Sequence, residues 1–249
     1  MAGLTARLIR YSPLLILAVL WQAVAQFGLV ARSALPPLSD VIKAWFALAA
    51  TSGFWFNAVD SLYRAFAGLA LAIVIGAAIG IAMASSKPVR AVLNPIVEVF
   101  YPLPKSALIP VTALWLGFGD TSKILLIFLG CMLPVTLGAY NGARGAEQTL
   151  MWSARSLGAS RLRMLMDVVF PSAVPEILNG IRTALATSFV LLVSSEMIAA
   201  RSGLGFMIGF LGDGGNFDAM FAVVFTVAFM GFIADRLYQY AMARTLQWR

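Results

Sequence analysis

Ala65-Phe66-Ala67-Gly68-Leu69-Ala70-Leu71-Ala72-Ile73-Val74-Ile75-Gly76-Ala77-Ala78-Ile79-Gly80-Ile81-Ala82-Met83-Ala84-Ser85-Ser86 carries no charge and exceeds the roughly 20 residues that a helix needs to cross a bilayer. The whole chain shares its character. Of 249 residues, 61% are hydrophobic and 12% charged, about half the charged share of a soluble domain. A globule of this size cannot hide so much apolar surface, so the chain reads as an all-α polytopic membrane bundle. About six spans with short connections use up its length, leaving one transmembrane domain over 1–249 and no room for a soluble catalytic domain. With no His and one Cys, Cys131, inside an apolar run, the usual zinc and general-base constellations are missing and the chain does not read as an enzyme. Cys131 reads as a packing residue. The net charge of +7 suits anionic lipid and cytoplasmic loops rather than nucleic acid.

Working outward, a first span runs from Tyr11 to Ala31, too long for the core of a signal peptide. Pro36-Pro37 closes it, and Ser39 is placed to cap a short interfacial helix containing Val41, Trp45 and Phe46. In the second span Gly76 and Gly80 form a small-xxx-small pair that lets a neighbour approach closely. The third, about Ala91 to Trp115, carries Pro95, Pro102, Pro104 and Pro110, so it must be bent or broken. Broken backbone at membrane depth survives only where protein or a watery cavity covers it, which makes this segment a candidate pathway lining. A fourth span covers about Ile124 to Tyr140. A polar, basic loop from Asn141 to Pro175 follows, then spans from Ile177 to Ala200 and from Ala219 to Ile233.

Basic residues set the orientation. A cytoplasmic N-terminus puts eleven inside: Arg7, Arg10, Lys87, Arg90, Arg144, Arg155, Arg161, Arg163, Arg236, Arg244 and Arg249. Five fall outside, namely Arg32, Lys43, Arg64, Lys123 and Arg201. Both termini and the 141–175 loop are then cytoplasmic. Lys105 and Arg182 fall within spans, where a cation needs water or a partner.

The loop reads Trp152-Ser153-Ala154-Arg155-Ser156-Leu157-Gly158-Ala159-Ser160, then continues to Val168, Phe170 and Pro171. These are two short helical stretches parted by Gly158 and closed by a proline that turns the chain back into the membrane. The spacing resembles the EAA loop of permease subunits of ABC importers. Ala107-Leu108-Ile109-Pro110, Ser122-Lys123-Ile124-Leu125-Leu126-Ile127 and Ser202-Gly203-Leu204-Gly205 are similar to the nitrate, sulfonate and taurine branch, and the likeness covers about Leu35 to Tyr240. It implies a type I importer fold in the bacterial inner membrane, built as a two-copy channel. Elbows made by Trp152, Ser153, Ala154, Arg155, Gly158, Ala159, Ser160 and Pro171 would sit in clefts of two ATPase subunits, and a binding protein would dock outside. ATP and Mg2+ would be bound by the ATPase, and this chain would hold no cofactor. The usual Glu of the loop is Trp152 here, so an ionic contact with the ATPase would give way to an apolar one, or Trp152 would anchor at the lipid interface instead.

Two rivals explain less. An ion-coupled secondary transporter places ionisable groups at mid-membrane and repeats its broken helices, whereas Glu98, Glu176 and Glu196 lie toward span ends and nothing mirrors the proline-rich span. A scaffold protein leaves the ordered motifs unexplained. Gly117-Phe118-Gly119-Asp120-Thr121-Ser122-Lys123 lacks the ending and the preceding strand of a phosphate loop and reads as a turn. Pro102, Pro104, Lys105, Pro110, Arg182 and Glu196 are the candidate pathway residues. The branch spans sulfonates, nitrate and vitamin-like heterocycles, and selectivity resembles a property of the external binding protein. The topology is tested with single cysteines at Ser160 and Gly215 in a background lacking Cys131. An impermeant thiol reagent added to intact cells should label position 215 and spare 160, and labelling of 160 from outside would reverse the orientation.

Overall fold

The computed structural model describes residues 2–247, with side chains from Ser12 onward. Arg249 and the side chains of Arg7 and Arg10, which enter the orientation count, lie outside the described residues. Every element among the described residues is helical. The order is α1 (Ala2–Gln26), α2 (Leu38–Ala49), α3 (Ser52–Ser85), α4 (Lys87–Phe100), a 3-10 turn (Lys105–Leu108), α5 (Ile109–Leu116), α6 (Asp120–Arg144), α7 (Gln148–Ser156), α8 (Arg161–Met164), a π turn (Leu165–Val169), α9 (Phe170–Ala199), α10 (Leu204–Asp213) and α11 (Phe217–Thr245).

α6 is the central post, and glycine decides how closely its neighbours approach. Along α3, a Cβ at Gly68 would stand 2.8 Å from Ile127 Cβ, and one at Gly76 would stand 2.9 Å from the Met132 carbonyl oxygen. Gly80 meets Ala139 and Tyr140. Rising numbers on both helices mean that α3 and α6 run parallel. On the other side of α6 the order inverts: Gly142 meets Ala173 and Glu176, Gly138 meets Glu176, and Gly130 meets Leu191, so α9 is antiparallel. The small-residue reading of Gly76 and Gly80 is thereby met, with α6 as the partner. Cys131 is fully buried here, its Sγ donating to the Ala184 carbonyl at 3.2 Å. α11 returns antiparallel to α9, joined by the Tyr238 hydroxyl to the Leu178 carbonyl (2.8 Å). At its start it meets α2, through Trp45 Nε1 and Thr226 Oγ1 (3.0 Å), and α1, through Trp21 against Phe221.

Four helices are long and apolar enough to cross a membrane unaided: α3, α6, the continuous run Arg161–Ala199 and α11. The proline-rich span departs from a single rod. α4 and the 3-10/α5 segment meet at 94°, with Pro102 and Pro104 in the non-helical corner and Pro110 in the first turn of α5. The pair still crosses. α3 and α6 are parallel, so the chain must travel from the Ser85 end to the Asp120 end between them. α1 is 25 residues long, with Ser12–Gln26 its described apolar part.

Two local expectations are corrected. Ser39 does not cap α2; the helix starts at Leu38, and its exposed Ser39 N–H is taken by Gln22 Oε1 of α1 at 3.1 Å. Pro171 does not turn the chain either. Helix begins at Arg161, well before Ile177, and runs through Pro171 and Pro175 to Ala199 over 39 residues. The irregularity falls just before Pro171, as the π turn. A proline offers no N–H to the preceding turn and its ring crowds that carbonyl, and one wide turn absorbs both defects.

If close backbone approach sets the α3–α6 pair, Gly76→Leu and Gly80→Leu should each destabilise the detergent-solubilised protein by about 1–3 kcal/mol through overpacking. Gly53→Ala, where a Cβ meets nothing within 4 Å, should cost far less. Thermal unfolding measures all three, and equal midpoints would refute the packing argument.

Candidate functional site

At one end of the bundle the chain forms an elbow. α7 ends in a Schellman motif: Gly158 adopts φ +78°, its N–H bonds the Arg155 carbonyl (3.0 Å), and Ala159 N–H bonds the Ala154 carbonyl (3.0 Å). The left-handed backbone explains the glycine, since an L side chain there costs roughly 1–2 kcal/mol. Ser160 then caps α8, its Oγ accepting from Arg163 N–H at 3.2 Å. The result projects apolar side chains into the open: Trp152 is 61% exposed, Leu157 88% and Leu162 69%. Ser153, Arg155 and Gly158 are exposed beside them. Two shallow hollows flank the elbow. One, of about 270 Å³, is lined by Leu150, Asp167, Val168, Pro171 and Ser172; the other, of about 320 Å³, includes Ala154, Leu157, Ala159 and Arg163. Of the eight loop residues singled out in the sequence, Trp152, Ser153, Arg155, Gly158 and Ser160 are exposed and Ala154, Ala159 and Pro171 are half-buried.

The opposite end holds a buried charge cluster. Arg64 of α3, its side chain 5% exposed, donates Nη1 to Glu196 Oε1 of α9 at 2.7 Å. Its Nε donates to Asp120 Oδ1 at the start of α6, and its Nη groups to the Ser202 carbonyl and hydroxyl, each at 2.7 Å. Glu196 is fully buried and also accepts from Ser61 Oγ (2.8 Å) and Gly205 N–H (2.9 Å). Gly203 has φ +112°, and a Cβ there would run into the Glu196 carboxylate. Lys123, 1% exposed, gives its ammonium to the Phe118 carbonyl (2.6 Å) and the Ala199 carbonyl. A hollow of about 420 Å³ lined by Arg64, Asp120, Arg201 and Ser202 opens beside the cluster.

The remaining pathway candidates lie apart from it. Lys105 follows the broken corner, and its Nζ donates to the Phe100, Tyr101 and Leu103 carbonyls at 2.5, 3.3 and 2.8 Å. It caps the helix end that Pro102 and Pro104 interrupt. Arg182 pairs with Asp235 of α11 at 2.9 Å. Glu98 bonds Asn94 on its own helix at 2.5 Å and makes no pair with Lys105. Glu196 is therefore gathered into the cluster, while Lys105 and Arg182 each have a local partner.

Residues 68–247 match the model of the binding-protein-dependent transport system inner membrane component. The chain belongs to that family. The permease is 37% identical over 227 residues to the taurine transport system permease protein of Escherichia coli K12, covering 89% of this chain and 82% of the relative. It is 32% identical over 237 residues to a Bacillus subtilis 168 protein named for aliphatic sulfonates transport, covering 95% and 86%. Its fold matches a methionine ABC transporter in an inward-facing conformation, with TM-score 0.62, 21% identity, and 78% and 97% of the two chains covered. A further match is an amino acid ABC transporter, with TM-score 0.58, 15% identity and 84% and 95% coverage. The chain is accordingly a membrane-spanning permease of the ABC importer type.

Sequence reasoning placed Arg64 and Lys123 in outer loops. In the permease both are buried in the cluster, because a cation at the edge of an apolar span is retained in the interior when carboxylate and carbonyl oxygens surround it. The signal that could have found them lay in the quoted motifs. Ser122-Lys123 and Ser202-Gly203-Leu204-Gly205 are separate in sequence, and both contribute to this one network. The Phe118-Gly119-Asp120 turn, rejected as a phosphate loop, supplies Asp120 to the same network. Arg64→Met leaves Glu196 buried without its cation and should cost about 3–5 kcal/mol. Arg64→Met with Glu196→Gln should cost clearly less than the two single changes summed. A double-mutant cycle by thermal unfolding in detergent checks this, and strict additivity would mean that the pair is not coupled.

Proposed function

We propose that this permease works as two copies forming the translocation pathway of an ABC importer for taurine and related small sulfonates, with the elbow docked into a separate ATPase subunit. ATP and Mg2+ belong to that partner, a binding protein delivers solute on the opposite side, and both termini and the elbow are cytoplasmic. The observation that carries this reading is the elbow itself: Trp152, Leu157 and Leu162 stand exposed on it, and its second arm, which bears Leu162, continues into the span Arg161–Ala199. Apolar side chains grouped in this way mark a partner surface. A displacement at Arg161 is carried about 50 Å along that helix, by the usual rise, to Glu196 in the far cluster. The helix stays continuous through the π turn at Leu165–Val169, so the elbow's second arm and the span move together. Sulfonate as the solute rests on the relatives named for taurine and aliphatic sulfonates transport.

Proteoliposomes holding the permease with its cognate ATPase and binding protein should accumulate radiolabelled taurine with ATP inside and without an ion gradient. Trp152→Ala should insert normally yet lose ATPase on co-purification and lose taurine-stimulated hydrolysis, since the apolar anchor is removed without a new contact being supplied. Uptake driven by a proton or sodium gradient without ATP would overturn the reading, and unchanged complex formation by the variant would remove Trp152 from the contact.

A further inference from the structure

The outward face of the first half of α9 differs in chemistry from those of its neighbours. α3 exposes Trp55, Phe56, Val59 and Val74, and α11 exposes Phe225, Phe229 and Phe232, as lipid requires. α9 exposes Glu176, Asn179 and Thr183, with Thr187 partly exposed, over its first half, before apolar Val190, Met197 and Ile198 take over its exposed surface. Steps of three and four residues put these polar residues on one stripe. Hydrocarbon cannot cover such a stripe, so it must face water or a polar surface.

The stripe reaches the middle of the bundle. Leu191, one turn beyond Thr187, fills the bare side of Gly130 halfway along α6, and Lys105 Cβ lies 3.7 Å from the point a Gly130 Cβ would occupy. The broken corner of the proline-rich span is therefore level with the far end of the stripe. The nearby cations are occupied, Lys105 by three carbonyls and Arg182 by Asp235. Thr183 and Thr187 donate to the carbonyls four residues back, Asn179 at 3.2 Å and Thr183 at 2.9 Å. Such back-bonded hydroxyls can swing outward to a passing acceptor.

From this placement we infer that Asn179, Thr183 and Thr187 form the solute-contacting strip of the pathway, offering uncharged amide and hydroxyl donors to the sulfonate oxygens of the cargo. The inference rests on the sulfonate-import reading above. Neutral donors suit a passage better than a free cation, because conduction needs contacts weak enough to release.

The test uses the complete complex in proteoliposomes, in a Cys131→Ser background. Thr187→Cys and Thr183→Cys should react with an anionic methanethiosulfonate roughly tenfold or more faster than Val74→Cys on the lipid-facing side of α3, because the reagent attacks only wetted thiolate. Thr183→Val with Thr187→Val should lower taurine moved per ATP hydrolysed roughly three- to tenfold, the worth of a neutral hydrogen bond, while taurine-stimulated hydrolysis is retained. Labelling of 183 and 187 as slow as that of 74 would show the stripe covered, and would overturn the inference whatever the solute. Normal labelling with unchanged taurine per ATP would overturn the sulfonate contact. Absence of taurine uptake in the unmodified complex would instead sink the import reading, leaving labelling to decide whether the stripe lines a wet passage.

Discussion

A carboxylate removed from water costs several kcal/mol unless a cation and hydrogen-bond donors replace what it lost, and Glu196 is fully buried. Everything at that end of the bundle is arranged around it. Arg64 reaches it from α3, Ser61 from one turn earlier, and Gly205 from the start of α10. Because Arg64 also holds Asp120 and Ser202, one guanidinium ties together α3, the entry to α6, α9 and the loop leading to α10. Its planar fork can serve several oxygens at once, which a lysine ammonium cannot do with the same geometry. The left-handed backbone at Gly203 follows from the same requirement, since a side chain there would displace the carboxylate.

The rest of the bundle supports this end by close packing rather than by polarity. Glycines at 68, 76 and 80 on α3, and at 138 and 142 on α6, let three helices approach until backbone meets backbone, while Gly130 makes room for the Leu191 side chain. In a membrane, where lipid is as apolar as leucine, such contact is a main source of helix association. The packing leaves α9 continuous from the elbow to Glu196, so one helix joins the exposed partner surface to the buried cluster. The defects along it are local: a π turn before Pro171, and Pro175 accommodated within the helix. The proline-rich span is handled differently, by a 94° corner whose carbonyls are taken up by Lys105.

Much of this was legible in the residues themselves. Long charge-free runs permit little besides spanning helices, because every backbone polar group in lipid must be satisfied within its own segment. Pro102 and Pro104 announced a break, Gly76 and Gly80 a close neighbour, and Gly158 a change of direction, since each residue type acts on its own backbone or within one turn of it. The elbow could be read for the same reason, being a contiguous stretch whose geometry is set by local capping. Pro171 misled because a proline forbids a donor but does not dictate how the helix repairs the loss.

What only the tertiary structure decided are the pairings across long sequence separations. Arg64 and Lys123 looked like loop cations because each stands at the edge of an apolar run just after an acidic residue, Asp60 and Asp120, a pattern that an exposed loop shows equally well. Glu196 meets Arg64 across more than half the chain only because α3 and α9 both pack on α6. The polar stripe of α9 was likewise invisible, since which face of a helix stays uncovered depends on how its neighbours cross it. Composition and local chemistry determined that this chain spans a membrane and where it bends; the choice of which charges are buried together belonged to the packing, because burial is a property of the assembled helices and not of any one of them.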